Sequence, residues 1–131
     1  MNILLWVVQV ILGVYFVAVG VMHFIVPPGL PAMMAWMYEL PMWLHYLAGT
    51  AEILGGLGLI LPRIFRVQQR LVPLAGAGLA ALMVAAVVWH LPRGEAQNIV
   101  FNLVLSGLAL FVAVAYTRGP LRALPSTSAR P

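Results

Sequence analysis

Four apolar stretches of about 20 residues, each long enough to cross a hydrocarbon core as a helix, cover residues 3–26, 42–61, 71–91 and 98–117. Pro27-Pro28-Gly29, Pro62-Arg63, Pro92-Arg93-Gly94 and Arg118-Gly119-Pro120 follow them in turn, and such groups stop helices. The first stretch is too long for a signal-peptide core and no basic region precedes it, so it is expected to be retained. Between the first two stretches, Ala32-Met33-Met34-Ala35-Trp36-Met37-Tyr38-Glu39-Leu40 is bracketed by Pro31 and Pro41. That segment reads as a short interfacial helix, either an anchor or a lid. Residues 1–118 are expected to form one transmembrane domain, and 119–131, rich in Pro, Ser and Arg, a disordered tail.

The polar and small positions inside the stretches fall on stripes. In the second, His45, Gly49, Glu52 and Gly56 recur at i, i+4, i+7 and i+11, which is one face of a helix. Gln9, Gly13, Phe16, Gly20 and His23 repeat the same spacing in the first stretch. Asn98, Asn102 and Ser106 form a third stripe in the fourth, and Gly76, Ala80, Met83, Val87 and His90 offer a compatible face in the third. Polar groups facing lipid are costly and small residues let helices approach, so these stripes are expected to face inward. The fold expected is all-α, an integral membrane four-helix bundle with a short interfacial helix between spans 1 and 2.

Composition excludes a soluble globule. Of 131 residues, 63% are apolar and 8% charged, against roughly 25% charged in ordinary soluble domains. There is no cysteine, which removes thiolate catalysis, iron–sulfur clusters and thiolate zinc sites. The net charge of +4 does not point to nucleic acid, because the arginines lie between and after the apolar stretches, where lipid headgroups are the partner. Arg63, Arg66, Arg70, Arg118, Arg122 and Arg130 share one side of a four-span topology and Arg93 stands alone on the other. That bias predicts an N-in/C-in protein of a bacterial cytoplasmic (inner) membrane, with both termini cytoplasmic.

With this topology, His23, His45, His90, Asn98 and Asn102 come from four helices yet share the outer third of the bilayer, and Glu52 lies two turns deeper than His45. Ionisable groups at such depth are functional candidates. Glu52 and His45 are the candidate catalytic pair. His23, His45, Asn98, Asn102, Trp43 and Trp89 are the candidate ligand contacts, with Phe16 as a further ring. His23, His45 and His90 are candidate ligands for a metal or a haem, although no H-x-x-x-H spacing is present.

The series Gly20-x-x-His23-Phe24-x-x-Pro27, Pro41, Gly49-x-x-Glu52-Ile53-Leu54-Gly55-Gly56-x-Gly58-Leu59, Pro62 and Asn98-Ile99 resembles the DoxX-like family of small four-helix bacterial membrane proteins. The resemblance covers residues 13–102, and the block around Glu52 is its most specific part. A longer link, His90 to Gln97, precedes the Asn-Ile pair here than in the family pattern. The resemblance implies quinone-linked sulfur oxidation, responses to quinone or thiol stress, or a place in membrane oxidoreductase assemblies. It carries His23, Glu52 and Asn98 over as site residues. Three functions stay open. The first is a redox-linked protein that binds a quinone or similar apolar ring compound, with Glu52 as proton acceptor. The second is an accessory subunit of a membrane complex, and the third a haem- or metal-dependent enzyme. The partners expected are membrane lipids, a small apolar ligand, a membrane oxidoreductase and further copies of the chain.

Overall fold

The computed structural model describes residues 2–119; the expected tail after Gly119 lies outside the described residues. The chain forms α1 (Ile3–Ile25), a 3₁₀ helix (Ala32–Tyr38), α2 (Met42–Ile64), α3 (Leu71–His90) and α4 (Ala96–Arg118). All four α-helices are long and apolar enough to cross a membrane. They expose residues such as Ile11, Leu54, Leu74 and Val88 outward, as a hydrocarbon solvent allows.

Two boundaries move by more than one residue from those expected. Helix α2 runs through Pro62 to Ile64. Proline forfeits the bond to the carbonyl four residues back and crowds that residue; here it is Gly58, which has no side chain. The chain then leaves the helix with Phe65 and Val67 amides donating to the carbonyls of Leu61 and Pro62, both at 3.0 Å. Helix α4 begins at Ala96, two residues early, because the Ile99 amide already donates to the Glu95 carbonyl at 3.0 Å.

Glycine sets the pairing. A Cβ on Gly56 would stand 2.6 Å from the Gly13 carbonyl oxygen, and one on Gly20 2.9 Å from that of Gly49, so α1 and α2 meet backbone to backbone. Helices α3 and α4 are joined likewise, a Cβ on Gly76 falling 2.8 Å from the Ala109 carbonyl oxygen. The half of the bundle near the termini is filled by a dry core that includes Phe16, Leu59, Val72, Val112 and Tyr116. Gln9 is fully buried there and donates to the Leu59 carbonyl.

The opposite half is covered by the 3₁₀ helix. Tyr38 ties this segment down, its hydroxyl donating to the Pro27 carbonyl at 2.9 Å and accepting from the Leu30 amide at 3.0 Å. Met37 is wholly buried. The segment therefore packs into the mouth of the bundle.

Candidate functional site

Beneath the 3₁₀ helix the two helix pairs diverge around a cavity of about 500 Å³. Its wall is mainly apolar, and the polar groups on it include His23, Glu52, His90, Arg93 and Asn102. Leu47 of α2 and Val88 of α3 also line it, yet both are exposed on the outer surface. The cavity thus opens sideways between α2 and α3, toward the apolar surroundings of the helices.

The stripes of α1 and α2 bring three polar side chains together. His23 Nδ1 lies 2.9 Å from His45 Nδ1, and His45 Nε2 lies 2.9 Å from the Met37 carbonyl oxygen. On the other edge of the His23 ring, Nε2 stands 3.5 Å from Glu52 Oε2. That distance suits an ion pair, but the alignment is not that of a hydrogen bond, and Glu52 Oε2 keeps no hydrogen-bond partner among the described residues. All three side chains are buried. Their closeness follows from Gly20 and Gly49, because a Cβ on Gly49 would stand 2.9 Å from the His23 Cβ.

A second group closes the mouth. The Trp36 ring sits between two histidine rings, with centroids 5.8 Å from His23 and 5.3 Å from His90. His90 Nδ1 bonds Glu95 Oε2, and Arg93 bridges Glu39 to Glu95. The Arg93 guanidinium also lies over the Trp89 ring, 5.4 Å from its centroid. The chain that ends the 3₁₀ helix is thereby fastened to the α3–α4 connection. The hydrogen bond to His90, and then Arg93, hold the Glu95 carboxyl below the usual carboxylate range. The carboxylates of Glu39 and Glu95 raise Arg93.

The sequence-derived candidates divide as follows. His23, Glu52, Asn102, Trp89 and His90 line the cavity. His45 is not on the wall but stands behind His23. Asn98 is buried at the start of α4 away from the lining, and Phe16 belongs to the dry core. Trp43 points outward and is 64% exposed. It precedes His45 by two positions, about 200° around a helix, so it cannot share that face. His23 and His45 meet, but His90 is engaged with Glu95 across Trp36, and no group of three potential metal ligands forms among the described residues. Trp36, Arg93 and Tyr15 also line the cavity and were not among the site candidates read from sequence. The prolines around the aromatic segment carried a signal for Trp36; nothing marked Tyr15.

Two further buried atoms lack hydrogen-bond partners among the described residues, Gln9 Oε1 in the core and Trp89 Nε1 at the cavity. The Glu52 oxygen and the Trp89 indole nitrogen are thus an unsatisfied acceptor and donor carried by two residues of an apolar wall. Such a chamber, with a few polar atoms unsatisfied, suits a small apolar ligand with hydrogen-bonding groups.

Residues 7–114 match the DoxX-like family. No curated protein and no solved structure matches the chain.

Proposed function

The chain belongs to the DoxX-like family of small four-helix membrane proteins, and on that premise we propose that it binds a quinone or similar apolar ring compound in the lateral cavity. The observation that carries the proposal is the pairing of His23 Nε2 with the unsatisfied Glu52 Oε2 on the wall of an otherwise apolar chamber. Trp36 and Trp89, both on the lining, offer ring faces to an aromatic ligand, and a membrane-dissolved compound reaches the site between α2 and α3 without crossing water. Glu52 serves as proton acceptor beside His23. Oxidation of a hydroquinone releases two electrons and two protons; Glu52 and the neighbouring His23 Nε2 take one proton each, and a membrane oxidoreductase partner takes the electrons. The arginine bias supports a bacterial inner-membrane topology with both termini cytoplasmic, in which the cavity lies toward the outer face. Gly78 and Gly107, with open space around them, are positions where that partner or a further copy of the chain can approach closely.

The same side chains also tie α1 to α2, as interhelical glue in an accessory subunit would. That second reading leaves the cavity without a purpose. Titrating a short-chain quinone and its hydroquinone against tryptophan fluorescence separates the two. Glu52→Gln keeps the fold and is expected to weaken binding by about tenfold to a hundredfold, the range for a hydrogen bond to a charged group. Unchanged binding in a folded Glu52→Gln protein, or no binding by the wild type, overturns the ligand-site reading.

A further inference from the structure

His45 lies behind the cavity wall, and hydrogen-bond polarity gives it a task there. A carbonyl oxygen only accepts, so His45 Nε2, 2.9 Å from the Met37 carbonyl, must carry a proton. A second proton on this ring would create a buried cation with no carboxylate beside it, because Glu52 faces His23 instead. His45 is therefore neutral and its Nδ1 is a bare acceptor. Only one polarity then satisfies the 2.9 Å contact between the two Nδ1 atoms: His23 Nδ1–H donates and His45 accepts. His23 Nε2 makes no hydrogen bond to Glu52 at 3.5 Å, so nothing there holds a second proton, and the neutral ring carries its proton on Nδ1 and a lone pair at Nε2.

We infer that His45 is a positioning and specificity-determining residue, which locks His23 in the Nδ1–H tautomer so that the site selects the hydroxyl-bearing form of a ring compound over its carbonyl form. A phenol or hydroquinone donates its O–H to the Nε2 lone pair that the lock leaves free. A quinone carbonyl at the same place meets lone pair against lone pair. The Met37 carbonyl is the origin of the lock, so the segment that covers the cavity also sets its polarity. The preference for hydroxyl rests on the ligand-site reading above; the tautomer does not.

The test uses two readouts. Nitrogen NMR of histidine-labelled protein in bilayers, without added ligand, reports which ring nitrogen of His23 is protonated. The Nδ1–H form is expected in the wild type. His45→Phe removes the acceptor and is expected to release His23 from that form, whereas His45→Asn offers an oxygen near the Nδ1 position and is expected to retain it. Fluorescence titration then compares a short-chain alkyl hydroquinone with its quinone. Wild type and His45→Asn are expected to favour the hydroquinone at least tenfold, and His45→Phe to lose that preference while retaining its helical circular dichroism. A wild-type His23 protonated on Nε2, or a His23 tautomer indifferent to His45→Phe, overturns the inference. A quinone bound as tightly as the hydroquinone overturns it too. If neither compound binds while the Nδ1–H form is seen, the ligand-site reading fails and the role of His45 as a tautomer lock stands.

Discussion

At the scale of single residues, the absence of side chains matters as much as their chemistry. His23 and Glu52 meet because Gly20 and Gly49 let α1 and α2 touch along the backbone. Two turns further on the same faces, Gly56 lies against the Gly13 carbonyl so closely that an added Cβ would stand 2.6 Å from that oxygen. Gly56→Ala is therefore expected to destabilise the protein by about 1–3 kcal/mol in reversible unfolding from mixed micelles, the usual cost of overpacking. Gly78→Ala adds its Cβ to open space and is expected to change stability by less than about 0.5 kcal/mol. Equal effects at the two positions would contradict the backbone-contact account. The 4-3 spacing of polar and small positions made His23, His45 and Glu52 legible as neighbours, since spacing fixes direction within a helix. The order of the three was not legible. Whether a histidine stands on a cavity wall or behind it depends on another segment, here the Met37 carbonyl. Trp43 shows the converse, because its offset from His45 already placed it on the opposite face.

Among the elements, the 3₁₀ helix stands where the sequence placed a short helix, and its packing decides between the anchor and the lid that the sequence left open. Its aromatic and methionine content fits an interfacial anchor, yet Met37 is buried and Trp36 inserts between His23 and His90. Hydropathy cannot separate these outcomes, since a bilayer interface and a bundle mouth favour the same side chains. The salt bridges of Arg93 with Glu39 and Glu95 fasten the segment to the α3–α4 connection. Arg93 and Glu39 lie 54 positions apart, which no local pattern relates. Arg93→Ala is expected to expose Trp36, read as stronger quenching of tryptophan fluorescence by a water-soluble quencher and faster amide exchange over residues 32–38. The latch also has a pH limit. The native structure holds the Glu95 carboxyl below its ordinary value of 4.5, through His90 first and Arg93 second. A depressed carboxylate contributes stability that is present above the ordinary value and lost as pH falls through the lowered one. Quenching is therefore expected to stay low from neutral pH down to 4.5 and to rise below it. A midpoint at or above the ordinary value would contradict this latch, as would an Arg93→Ala protein that quenches like the wild type.

For the whole molecule, two glycine-sealed helix pairs meet in a dry core near the termini and part around a chamber at the other end. Four spans and a bundle were legible because an apolar length of about 20 residues has few alternatives in a chain so poor in charge. The chamber was not. Its volume depends on how far α2 and α3 diverge, and its sideways opening depends on exposed residues such as Leu47 and Val88 that look like ordinary lipid-facing positions. The measurement that tests the central claim most directly is native mass spectrometry of the protein released gently from its own membrane. The wild type is expected to carry one apolar ring compound above the mass of the bare chain, and Glu52→Gln to carry less of it. A wild-type chain that flies bare, or with phospholipid alone and no difference in Glu52→Gln, would contradict a ligand site built on His23 and Glu52.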